Sequence, residues 1–149
     1  MVAAAHAVVR GDHGDLMHTL LWITGLGQIA LALVSLVLPR LLRWREQTVL
    51  LQPLTRRIFW VYAAYIFGTN LCLGSLTAFA PHLLLDRSAL ARVVAGYGCV
   101  YWGARLLIQF AWFRGAAPKG VGYALADAAV TLGFLAWAAV YAVVAFDLW

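Results

Sequence analysis

Charge is what this sequence has least of. Asp, Glu, Lys and Arg make up 11% of its 149 residues, against about a quarter in an ordinary soluble domain. At half the usual charge a water-compatible surface is hard to build on a chain this short, which argues against a soluble globular domain. Cysteine is scarce too. Cys72 and Cys99 are the two present, and a pair this far apart sets neither a disulfide framework nor a spaced metal motif. Glutamate occurs once, at Glu46. No Pro/Gly/Ser-rich stretch divides the chain, so residues 1–149 are expected to form a single transmembrane domain. The N-terminus is not expected to be a cleavable signal peptide: the first apolar run begins at Leu16, after His6, Arg10, Asp12, His13 and Asp15, is long enough to span a membrane, and reads as a retained first helix.

What is abundant is apolar surface. The chain is 64% hydrophobic with a mean hydropathy of +0.85. Four long apolar runs predict helices over about residues 16–38, 58–80, 89–113 and 121–146. A hydrocarbon core about 30 Å thick needs roughly 20 helical residues, and each run supplies them. Lipid offers the backbone no hydrogen-bond partners, so spans are helices or closed barrels. These runs lack the strict alternation of barrel strands. The expected fold is an all-α integral membrane protein, a four-transmembrane-helix antiparallel bundle.

The net charge of +5 does not point to nucleic acid, because the basic residues sit in short segments between apolar runs. It sets orientation instead. Arg40, Arg43, Arg45, Arg56 and Arg57 fall between the first two runs, and Arg114 and Lys119 between the last two. The opposite side has Arg10, Arg87 and Arg92, offset by Asp12, Asp15, Asp86 and Asp147. Both basic loops are expected in the cytoplasm, giving an N-out/C-out topology that fits a bacterial inner membrane. Trp44, Trp60, Trp112 and Trp149 fit aromatic belts at the two interfaces.

Each run also carries polar or small residues at helical spacing, which places them on one face. The first offers Thr24, Gln28 and Ser35; the second Tyr62, Tyr65 and Thr69; the third Gly98, Trp102, Arg105 and Gln109; the fourth Tyr123, Asp127, Thr131 and Tyr141. Polar groups facing lipid are costly, so these faces are expected to meet. Counting inward from the cytoplasmic edge puts Arg105 about 12 Å deep and Asp127 about 9 Å deep at 1.5 Å per residue. An Arg105–Asp127 pair is therefore expected, with Gln28, Tyr62, Tyr65, Trp102 and Gln109 around it. Two readings stand side by side: a structural ion pair, or a ligand site in which Arg105 receives an anionic or carbonyl group and Asp127 orients it.

Other candidates are weaker. His18 and His82 at the outer helix ends form a conceivable metal or haem pair, but no spacing motif supports it, and no cofactor or metal is expected. Cys72 and Cys99 read as small buried apolar residues. Three functional classes follow. The first is binding or transport of a small amphipathic, lipid-like ligand around Arg105. The second is an accessory or scaffold subunit of a membrane complex. The third, an enzyme acting on a lipid-soluble substrate, is the weakest, since the helices offer one Asp and no Glu or deep His for acid–base chemistry. The expected partners are membrane lipids and either further copies of the chain or other membrane subunits, with no nucleic acid.

Overall fold

The computed structural model describes residues 2–113 and 120–149, with side chains from residue 14 onward apart from that of residue 113. All regular structure among the described residues is helical: α1 (Val2–Ser35), α2 (Leu38–Leu41), α3 (Trp44–Val49), α4 (Pro53–Phe79), α5 (Pro81–Leu84), α6 (Ala89–Ile108), a π-helical turn (Gln109–Phe113) and α7 (Val121–Ala145). Three stretches are long and apolar enough to cross a membrane: Gly14–Leu41, Pro53–Phe79 and Val121–Ala145. The third apolar run is helical as expected but is not among these three; α6 carries Arg92 and Arg105 among glycines and aromatics.

The boundaries follow local chemistry. α1 starts well before Leu16, through an Ala-rich stretch of high helix propensity. α4 starts five residues earlier than expected, at Pro53, since the fixed φ of proline suits a first helical turn. It stops at Phe79 because Pro81 keeps Ala80 out of the helical region (φ −134°, ψ 46°). The connection between α1 and α4 is not a plain loop. Pro39 opens α2, and Arg43, with a left-handed φ of 48°, turns the chain into α3. The loop between the third and fourth runs, with Arg114 and Lys119, lies outside the described residues, as do the side chains of His6, Arg10, Asp12 and His13.

The start of α6 is held by two short polar links. Asp86 Oδ1 accepts from the Ser88 backbone N–H at 2.8 Å, and Ser88 Oγ accepts from the Ala91 N–H at 3.0 Å. Ser88→Ala is expected to cost about 1 kcal/mol, read as a lower thermal midpoint. The Ser88 backbone N–H, and secondarily its side chain, holds the Asp86 carboxyl below its ordinary value of 3.8. The stabilisation it gives is therefore present above that value and is lost as pH falls through the lower folded value. Asp86→Ala and the wild type should differ in midpoint at neutral pH and converge in strong acid.

The chain packs as two units, one of Trp22–Phe79 and one of Met1–Leu21 with Ala80–Trp149. In the first, α1 and α4 meet through glycine. A Cβ at Gly25 would collide with the backbone N of Ala78 and lie 2.7 Å from its Cα; one at Gly74 would lie 3.0 Å from Gln28 Cβ and 3.1 Å from the Gly25 carbonyl oxygen. Absent side chains let the backbones approach, as small residues do in membrane helix pairs. The buried face of α4 is Asn70, Leu73, Gly74, Thr77 and Ala78. The hydroxyls of Ser35 and Thr77 donate to carbonyls of their own helices, Ala32 O (2.6 Å) and Leu73 O (2.8 Å). At the other end of α4, Trp44 packs edge-on against Phe59 at 5.1 Å, and Phe59 against Trp60 at 5.8 Å.

In the second unit α6 and α7 run antiparallel. Arg92 meets Asp147, Gly98 meets Tyr141, Trp102 meets Phe134 and Trp137, and Gln109 meets Asp127. The buried centre holds Ala95, Trp102, Phe134, Tyr141 and Val144. A Cβ at Gly98 would lie 2.9 Å from the Tyr141 ring, so Gly98→Ala is expected to cost about 1–3 kcal/mol by overpacking, read by thermal unfolding. One end is clasped by Asp147, which lies 3.2 Å from Arg87 Nε and 3.5 Å from Arg92 Nη2, while the Arg87 guanidinium sits 4.7 Å from the Trp149 ring centroid.

Candidate functional site

The expected Arg105–Asp127 ion pair does not form. The described ion pairs are Arg43–Glu46, Arg87–Asp147 and Arg92–Asp147. Asp127 is met instead by Gln109, whose Nε2 donates to Asp127 Oδ1 at 2.5 Å. The reason lies in helix geometry. Side chains lean toward the N-terminus of their own helix. On antiparallel neighbours that lean carries Arg105 and Asp127 in opposite directions. The guanidinium of Arg105 accordingly sits 5.8 Å from the Tyr101 ring centroid and 6.0 Å from that of Phe134. Gln109, one turn further along, is the residue level with Asp127, and it lies at the first position of the π-helical turn. Such turns re-aim side chains and are frequent at functional sites.

Gln109, Asp127 and Thr131 give polar atoms to an open pocket of about 300 Å³, completed by Phe110, Ala128 and Leu132. One and two turns back along α6 from Gln109, two N–H donors are buried without an acceptor: Arg105 Nε and Trp102 Nε1. Trp102 is fully buried. Its ring lies 5.1 Å from Tyr101, 5.3 Å from Phe134 and 4.6 Å from Trp137. Trp102 and Arg105 are three residues apart, so they share a helix face, and both touch Phe134. An unmet buried donor costs about 1–3 kcal/mol. Trp102 Nε1 and Arg105 Nε lie on one helix face among aromatic rings, and the Arg105 side chain also hydrogen-bonds with Tyr101.

The structure thus brings together four of the seven expected ligand residues: Arg105, Trp102, Gln109 and Asp127. The other three, Gln28, Tyr62 and Tyr65, belong to the Trp22–Phe79 unit. There Gln28 is buried at the α1–α4 crossing, whereas Tyr62 and Tyr65 are 65% and 70% exposed. Their spacing showed that they share a face, and burial on α4 lies further along, from Asn70 onward. Phe134 and Trp137 were missed. With Tyr141 they form an aromatic stripe at i, i+3 and i+7 on α7, a pattern visible in the sequence. His18 and His82 are exposed, and no group of three His, Cys, Asp or Glu residues suited to a metal occurs among the described residues. Both cysteines are free thiols, and Cys72 is exposed rather than buried as expected.

No protein-family model matches this chain, and no curated protein or solved structure is significantly similar to it.

Proposed function

We propose that this is a four-span integral membrane protein that binds or transports a small amphipathic, lipid-like molecule at the α6–α7 site around Arg105. In this reading α6 and its π-helical turn form the fourth span, and the connection bearing Arg40 to Arg57 faces the cytoplasm of a bacterial inner membrane. The N-terminal end of α1 and the C-terminal end of α7 face outside. The observation that supports the reading is the pair of buried, unmet donors, Trp102 Nε1 and Arg105 Nε, on the same helix whose next turn lends Gln109 to a pocket also lined by Asp127. An acceptor on the head of the ligand satisfies the donors, Asp127 and Gln109 hold a second polar group, and Phe110, Ala128 and Leu132 flank the apolar part. Arg105 matters here through its fixed charge and its hydrogen-bond geometry.

Arg105→Met and Asp127→Leu, made singly and together, test this. Without a direct ion pair, their effects on stability should add to within about 0.5 kcal/mol. Each single change should also remove a co-purifying small molecule found by extraction and mass spectrometry. A double variant restored to wild-type stability would show a structural pair and overturn the reading. So would an unchanged extract from both single variants.

A further inference from the structure

The unit Trp22–Phe79 carries all its charge in one place. Its charged residues are Arg40, Arg43, Arg45, Glu46, Arg56 and Arg57, and all are exposed. Five positive charges and one negative leave a net +4 within residues 40–57. The single ion pair among them, Arg43 with Glu46 at 3.9 Å, joins side chains 76% and 73% exposed, where such a contact contributes little. Arg40, Arg45, Arg56 and Arg57 have no carboxylate partner among the described residues.

The same segment is strongly apolar between its arginines. Leu41, Leu50 and Leu54 are 66%, 89% and 69% exposed. The helices α2 and α3 span four and six residues, far below the length at which a helix holds in water alone. Both ends of the segment join stretches long enough to cross a bilayer, so the segment meets the membrane surface at both of its ends. Beside it sits the Trp44, Phe59 and Trp60 cluster, of the residue types that settle at the headgroup level. Leucines between arginines exclude a nucleic-acid surface, which would leave those leucines in water. They suit a lipid surface, where aliphatic side chains enter the acyl boundary and guanidinium groups meet phosphate.

We propose that residues 40–57 form a binding surface for anionic phospholipid headgroups, with Arg40, Arg45, Arg56 and Arg57 as the phosphate contacts. Clusters of this size next to a spanning helix attract anionic lipid in proportion to their charge, by about fivefold per basic residue. The proposal does not depend on the α6–α7 ligand site.

The test uses the full chain purified in detergent and equilibrated with equal amounts of phosphatidylglycerol and phosphatidylcholine, with bound lipid counted by non-denaturing mass spectrometry. The wild type should retain phosphatidylglycerol over phosphatidylcholine by about tenfold or more. A variant with Arg40, Arg45, Arg56 and Arg57 all changed to Gln should retain the two nearly equally. Equal retention by the wild type, or undiminished preference in the variant, overturns the proposal. If the variant does not fold, salt decides on the wild type alone. Raising NaCl from about 0.05 M to about 0.5 M should sharply reduce the preference by screening, and a preference unmoved by salt overturns the proposal.

Discussion

Gly25→Ala is expected to destabilise the protein by about 1–3 kcal/mol or more, although it adds a single methyl to a helix and alanine is the better helix former. The methyl would meet backbone rather than a movable side chain: the nitrogen of Ala78, with Ala78 Cα and Cβ both at 2.7 Å. Relief requires α1 and α4 to separate, which opens the contacts around Gln28, Ile29 and Gly74 as well. Gly68 on α4 supplies the control, since a Cβ there has nothing within 4 Å. Gly68→Ala should be neutral or stabilising by up to about 1 kcal/mol through helix propensity alone. Circular dichroism during thermal unfolding of the two variants measures the contrast. Equal midpoints would refute the close α1–α4 crossing.

Trp102→Phe is expected to act in opposite directions on stability and on ligand binding. The change keeps an aromatic ring against Tyr101, Phe134 and Trp137 but removes the indole N–H, which is buried without an acceptor. Deleting an unmet buried donor removes a penalty of about 1–3 kcal/mol, offset by the smaller volume of Phe. The ligand-free protein should therefore be as stable as the wild type or more so. The ligand-bound protein should lose one hydrogen bond, worth about tenfold in affinity. A purely structural Trp102 predicts a loss of stability with no separate binding effect. Thermal midpoints taken before and after delipidation, with binding of the extracted molecule measured on both proteins, separate the two cases.

Much of the architecture was legible because it rests on length and composition. Four apolar runs became four long helices, and Pro81 ends α4 by chemistry that acts within a few residues, whereas the start at Pro53, ahead of the apolar run, and the Ser88 cap were not read. The short helices α2 and α3 were not legible, since four to six residues carry too little periodicity to read. The candidate site was legible in part. Charge and helical spacing placed Trp102, Arg105, Gln109 and Asp127 on sides of α6 and α7 that face each other. Their pairing was not, because counting depth from helix ends ignores the opposite lean of side chains on antiparallel helices. The π-helical turn beneath Gln109 left no recognisable mark in the sequence. Tyr62 and Tyr65 show a further limit: spacing says which residues share a face, but only packing decides which face is covered. The glycines divide in the same way. Gly25 and Gly74 are contact points and Gly68 is not, a difference that depends on the facing helix.

The site itself is tested most directly by the mass of the gently purified protein under non-denaturing conditions. The wild type should carry one added small molecule per chain, released on activation and identifiable by fragmentation. Arg105→Met, which removes a guanidinium whose Nε is buried and leaves the Asp86 and Ser88 links at the start of α6 in place, should lose that molecule and keep only phospholipid held by residues 40–57. A wild type that carries no added mass beyond such phospholipid, or an Arg105→Met variant that keeps the same added molecule, would contradict a ligand site at α6 and α7.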